Sequence, residues 1–183
     1  MSELEVKSRR LGKDSVNGVY RYDPGSGYWV MLKETGAALV PSERYAVVYF
    51  DNTLCPVCRR YDFQWYPFVE GNTDNLKGFG LYIVLCDWFT QQCASATAAM
   101  TFIEYQVRAS PTTMLMLTDG GKVIYTERYE GLLTERDLQN IVLSFPDRAE
   151  RAARGEKVSR PLTEEEVMEE LGKALAARKG GGS

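Results

Sequence analysis

The segment YAVVYFDNTLCPVCRRYDF, residues 45–63, joins two kinds of structure. Tyr45–Phe50 is apolar at nearly every position, which predicts a central strand covered on both faces. A short polar turn follows, and then two cysteines three positions apart, with Pro56 directly after the first. Proline suits the first position of a helix, where its missing N–H leaves no bond unmade. Cys55 is therefore predicted to cap a helix that continues through CRRYDFQWYPFVE. Cys58, Tyr61, Trp65 and Phe68 recur at spacings of three and four and mark its apolar stripe. Pro67 is predicted to kink or end the helix near Trp65. The aromatic group Tyr61, Phe63, Trp65, Tyr66 and Phe68 reads as core packing.

A sulfur at a helix start sits over unpaired backbone N–H groups and the positive end of the helix dipole. That setting favours thiolate, the nucleophilic form. Arg59 and Arg60 add positive charge, and Asp51 opposes them. Cys58, one turn on, falls on the apolar stripe and is predicted to be the more buried of the two. An accessible attacking thiol beside a buried resolving thiol is the arrangement that disulfide exchange requires. A Cys-x-x-Cys pair alone also suits zinc.

The totals narrow the chemistry. The chain has 183 residues, 44% of them hydrophobic, and a net charge of -3. It is long enough for one well-buried core with extensions, or two very small domains, and no basic excess points to nucleic acid. No apolar run approaches a membrane span, and the charged start MSELEVKSRRLGKD lacks the apolar region of a secretory signal. The cytoplasm is the expected compartment. There, four cysteines are kept reduced unless they are catalytic or redox-sensing. With no histidine in the chain, imidazole bases, Cys-His nucleophiles and histidine metal ligands are excluded.

Outward from the cysteines, Asp23-Pro24-Gly25-Ser26-Gly27 separates two β-rich runs and predicts a hairpin over 16–33. LYIVLCDW predicts a second buried strand, parallel to the first by a right-handed crossover. Residues 94–107 predict a helix with Met100, Ile103 and Val107 on one face. Asp119-Gly120-Gly121 predicts the turn of another hairpin, and Thr134 to Asp137 resembles a capping box opening a helix to about Ser144. Past Pro146 the Arg-rich stretch 148–160 reads as a solvated linker. A tail helix follows, with Val167, Leu171 and Leu175 on one face, docked on its own domain or on a partner. The expected organisation is an N-terminal extension with a β-hairpin (1–40), an α/β domain (41–145), and a charged linker with an amphipathic helix (146–183).

VVYFDNTLCPVC resembles the strand, turn and Cys-x-x-Cys of the thioredoxin superfamily. EYQVRASPTTMLML, residues 104–117, resembles that family's segment ending in Pro-Thr and an apolar strand. The resemblance covers roughly residues 40–145. It implies a thioredoxin-like three-layer α/β fold with a mixed central sheet. It also implies a thiol–disulfide oxidoreductase in which Cys55 attacks and Cys58 resolves. The bond before Pro111 would be cis. Ser110, Pro111 and Thr112 would form the substrate-binding segment, its backbone pairing with an extended peptide. Partners would be protein disulfides or thiols and a reductant protein or small thiol, with no metal or organic cofactor. Three features depart from the family. The intervening dipeptide is Pro-Val, Leu54 replaces the usual tryptophan, and the strand position of the family's buried acid holds Tyr49. Asp51 and Asp87 are the candidates to replace that acid.

Cys86 ends the second strand and Cys93 follows it. Three readings stand for this pair: structural thiols, possibly bridged to each other; a second redox pair exchanging with Cys55 and Cys58; or, with those two, a four-cysteine zinc site. The rivals to the enzyme are accordingly a redox-inactive binding module of the same fold and a zinc protein.

Overall fold

The structure, a computed structural model, describes residues 5–181. Its seven strands are β1 (Lys7–Ser8), β2 (Gly18–Asp23), β3 (Tyr28–Met31), β4 (Tyr45–Asn52), β5 (Phe79–Cys86), β6 (Thr112–Asp119) and β7 (Lys122–Glu130). The helices are α1 (Pro56–Gly71), α2 (Ala96–Glu104), α3 (Glu135–Leu143), α4 (Phe145–Ala153) and α5 (Glu164–Gly180). All strands join one sheet in the order β1-β3-β2-β5-β4-β6-β7. Only β4 and β5 run parallel; the other pairs are antiparallel, so the sheet is mixed, as expected.

β4 lies inside the sheet, between β5 and β6, and both of its faces are apolar. Val47 and Tyr49 join a cluster with Tyr61, Trp65 and Phe68 of α1 and with Leu138 and Ile141 of α3. Ala46, Val48 and Phe50 point the other way, against Ala98 and Phe102 of α2. Helices on both faces of one sheet give three layers. The hairpin of β2 and β3 extends the sheet through β2, which pairs with β5. It also shares the core, because Trp29 packs at 6.0 Å between ring centroids from Trp65. At the tip of the β6–β7 hairpin Gly120 and Gly121 have φ of +57° and +76°, the region glycine enters without steric cost.

Four expectations need correction. Helix α1 continues through Pro67 to Gly71. Pro67 has no N–H to offer the Phe63 carbonyl, so the helix continues with that one bond unmade. Phe63 is itself 74% exposed and so lies outside the core cluster. In α2 the buried face is Thr97, Ala98, Thr101 and Phe102, while Met100 and Ile103 are exposed. Residues 148–153, the first part of the stretch that reads as a linker, belong to helix α4, Phe145–Ala153. Phe145 and Ala149 are buried in the core there, and Arg148 reaches Glu127 of β7 through two hydrogen bonds of 2.8 and 2.7 Å. Charge alone made this stretch look solvated; the partner that draws Arg148 inward lies 21 residues earlier in the chain. No helix among the described residues is long and apolar enough to cross a membrane.

The Arg148–Glu127 pair is almost fully enclosed, with side chains 10% and 1% exposed. Removing one partner strands the other charge, at a cost of about 3–5 kcal/mol. Arg148→Ala is expected to lower the thermal midpoint by roughly 10 °C, at about 2–4 °C per kcal/mol for a chain of this size. Arg148→Met combined with Glu127→Leu is expected to unfold at a higher temperature than Arg148→Ala. Thermal melts followed by circular dichroism check both.

Candidate active site

The turn Thr53–Cys55 leaves the carboxyl end of β4, where side chains of parallel strands and of the following helix converge. Thr53 donates its amide to the Cys86 carbonyl at 2.9 Å, and Leu54 to the Asp87 carbonyl at 3.2 Å. Thr53 also donates its hydroxyl to Asp87 at 2.6 Å, and the Asn17 side-chain amide donates to the same oxygen at 2.9 Å. These bonds hold the Asp87 carboxyl below the usual carboxylate range. The Phe89 amide donates to the Asn52 side chain at 2.7 Å. The loop after β5 is thus fastened to the loop before α1. Cys86 and Cys93 close that loop with a disulfide.

Cys55 is the N-cap of α1, and Pro56 follows it at the first helical position. The Cys55 sulfur accepts the Cys58 amide at 3.1 Å, a bond that supports negative charge on sulfur. On its other side lies the Ser110 carbonyl, at 3.6 Å. The Ser110–Pro111 peptide is cis. Thr112 begins β6, pairs with Phe50 and donates its hydroxyl to the Ala109 carbonyl at 2.8 Å. The structure therefore brings Cys55, Cys58 and Ser110 together and sets Thr112 at the edge of the group. The sequence led us to expect an accessible Cys55; the residue is 3% exposed, and Cys58 0%. A capping side chain must fold back over its own helix, and that posture covers the sulfur. Leu54, at 59% exposure, is the open neighbour.

Behind Cys58 lies a closed set of charges. Asp51 is on the α1 face of β4, two positions beyond Tyr49 and fully buried. Its two carboxylate oxygens each accept from the Arg59 guanidinium at 2.6 Å. The same guanidinium lies 3.3 Å from Asp62, one turn further along α1. Tyr49 donates its hydroxyl within reach of both the Cys58 carbonyl, at 3.2 Å, and Asp62, at 3.1 Å. Burial raises the Cys58 thiol well above its ordinary value, and the Asp51 charge adds to that rise. Burial also raises Asp51, against the pull of Arg59. Asp62 is raised to about 7, by burial first and by Asp51 second.

Of the two acids considered from sequence, Asp51 is the one beside Cys58, while Asp87 is engaged with Thr53 and Asn17. Asp62 was not identified from sequence. Its only sign is its place three residues after Arg59 and four after Cys58, on the same helical face. Arg60 is exposed, whereas Arg59 is drawn in by the two carboxylates. With Cys86 and Cys93 bonded to each other, the four sulfurs do not form one cluster. Among the described residues, no group of three or more Cys, Asp or Glu side chains is placed to hold a metal ion.

The raised Asp62 gives stability a definite pH dependence. Between its ordinary 3.8 and about 7, the folded state binds the proton that the unfolded state releases. This contribution is complete below the lower value and is lost as pH rises through the upper one. Asp62→Asn is expected to remove it, so the thermal midpoint of the variant gains on wild type between pH 4 and pH 8, at about 2–4 °C per kcal/mol. A pH series of thermal melts on the two proteins measures this.

The chain matches no protein-family model and no curated protein sequence. Among solved structures it is similar to chloroplastic thioredoxin z, at 14% identity and TM-score 0.43 over 64% of this chain and 98% of that one. It is similar to a thioredoxin from Aeropyrum pernix, at 14% identity and TM-score 0.43 over 68% and 90%. A thioredoxin-fold protein from Helicobacter pylori aligns at 17% identity and TM-score 0.46 over 80% and 91%. The chain's own topology carries the fold: a parallel β4–α1–β5 unit, a helix on the opposite face, an antiparallel β6–β7 pair and a closing helix. The protein is an α/β chain of thioredoxin-like fold, with a Cys-Pro-Val-Cys pair at the head of its first long helix.

Proposed function

We propose that the protein is a thiol–disulfide oxidoreductase acting on protein disulfides. The observation that carries this reading is the capping position of Cys55, with the Cys58 amide on its sulfur and the Cys58 thiol one turn behind. Cys55 thiolate attacks a substrate disulfide. A bond forms between the Cys55 sulfur and one substrate sulfur, and the other substrate sulfur leaves as thiolate. The Cys58 thiol then gives its proton to Asp51 and attacks the Cys55 sulfur. The second substrate thiolate departs, and the enzyme is left with a Cys55–Cys58 disulfide. Two electrons have passed from the dithiol to the substrate. A dithiol of a reductant protein, or two molecules of a small thiol, restores the pair.

Each charged neighbour has a part in the second step. A buried thiol does not ionise unaided, so its attack needs a proton acceptor close by. Asp51 contacts Cys58 and is held ionisable by Arg59. Asp62 lies against the Arg59 guanidinium, and Tyr49 donates to Asp62 and to the Cys58 carbonyl, so the two hold Arg59 in place. The backbone of Ser110, beside the Cys55 sulfur, supplies the edge on which an extended substrate segment pairs.

In a dithiothreitol-driven insulin reduction assay, Cys55→Ser is expected to fall to the uncatalysed rate. A Cys55→Ser variant as active as wild type would instead identify a binding module. Cys58→Ser is expected to accumulate a mixed disulfide with substrate, visible on a non-reducing gel. Asp51→Asn is expected to form that intermediate at a normal rate and to resolve it about 100-fold more slowly, the lower range for loss of a general base. Single-turnover quench experiments separate the two steps.

A further inference from the structure

Helix α5 has no buried side chain along its whole length. Only its base is fastened to the body. The Glu164 amide donates to Asp137 at 2.9 Å, and Arg160 grips Glu166 at 2.6 and 3.0 Å while its guanidinium lies 4.5 Å from the Tyr129 ring centroid. Thr163 and Glu166 complete a capping box there. Beyond that point the helix stands clear, and it carries apolar residues along one side. Val167 is 42% exposed, Met168 67%, Leu171 52% and Leu175 60%. An isolated helix of about 17 residues is marginal in water, and its stability ordinarily comes from a packed apolar face. What covers this one can be argued from its charges.

The charges divide at the middle of the helix. Five glutamates fall between 164 and 170, and the cations Lys173, Arg178 and Lys179 fall between 173 and 179. We propose that α5 pairs with α5 of a second copy of this chain, antiparallel, about a two-fold axis near residues 172 and 173. In that register Leu171 meets the partner's Ala174, Val167 lies along the stem of the partner's Arg178, and Met168 sits beside the partner's Leu175. Glu165 faces the partner's Lys179, and Glu170 faces the partner's Lys173. The apolar set and the charged set are each self-complementary about the same axis, which is the requirement of an isologous interface. A parallel pairing would bring the glutamate-rich halves together, with Glu165 of each helix facing the partner's Glu170 across the seam. The charges therefore choose the orientation, and the apolar stripe supplies the association.

The base of the helix fits the same arrangement. A cleft of about 520 Å³ opens between α3 and the first turns of α5, lined by Arg136, Asn140, Leu162, Val167 and Met168. The far end of an antiparallel partner reaches this cleft, because the helix is about 25 Å long at 1.5 Å per residue. Leu162, 55% exposed, would be covered by it. The two bodies then lie at opposite ends of the helix pair.

Sedimentation equilibrium on the full chain at micromolar concentration is the test. Wild type is expected at twice the chain mass. Leu171→Glu with Leu175→Glu is expected at the single-chain mass; both side chains are more than half exposed, so the far-ultraviolet spectrum and insulin reduction serve as controls for folding. Glu165→Lys with Glu170→Lys is expected to weaken association at least about tenfold, equivalent to about 1.4 kcal/mol. Adding Lys173→Glu and Lys179→Glu to the same chain is expected to restore it. A wild-type chain that stays monomeric would overturn the proposal. So would a dimer indifferent to Leu171→Glu with Leu175→Glu, or one that the glutamate reversal does not weaken.

Discussion

A helix capped by a sulfur places that sulfur over its own first amides, and most of the site follows from this constraint. Cys55 cannot turn outward without giving up the cap, so it stays close to the Cys58 amide and the Ser110 carbonyl. The same geometry orients α1. Once the first turn is fixed above β4, the stripe of Cys58, Tyr61, Trp65 and Phe68 is aimed at the sheet, and Arg59 is aimed at the end of the strand. The loop before the cap is in turn held by the Cys86 and Asp87 carbonyls, so the end of β5 sets the position of the sulfur as well.

Charge behind the sulfur pair is balanced within a small volume. One guanidinium serves two carboxylates, one fully buried and one largely so. An ionised Asp51 and an ionised Asp62 repel each other and are each penalised by burial, so Arg59 is what allows either to hold charge. Cys58, packed against the same group, is kept as a neutral thiol until a proton can leave. Cys55 lies over the first amides of α1 and Cys58 beside a buried carboxylate, so the two sulfurs differ in their surroundings although the side chains themselves are identical. A comparable economy holds at the far end of the sheet, where Glu127 and Arg148 neutralise each other inside the core and so fix α4 on β7.

The central strand, the cysteine-headed helix, both hairpins and the capping box of α3 were legible in the sequence, because each is specified by residues within one turn or one strand pair. Apolar runs, a proline after a cysteine, and paired glycines act locally. The cysteine pair and the Pro111 segment could also be named from sequence. The charges around Cys58 were only partly readable: Asp51 was one of two candidates, and Asp62 gave no sign beyond its helical spacing.

What the chain order left open was decided by contacts between residues far apart in sequence. Composition cannot tell a solvated arginine from one that meets a buried glutamate, and so 148–160 reads as linker although Arg148 meets Glu127 in the core. Nor can helical periodicity say which side of α2 faces the sheet, or that Phe63 turns outward, because a stripe of apolar residues fixes a face only when something is packed against it. The pairing of Cys86 with Cys93, the choice of Asp51 over Asp87, and the depth of Cys55 all depend on where β5 and the Ser110 loop arrive in space. Local sequence determined the elements and their reactive groups. Tertiary packing decided which groups lost water, and which charges and amides stand beside each thiol and each carboxylate.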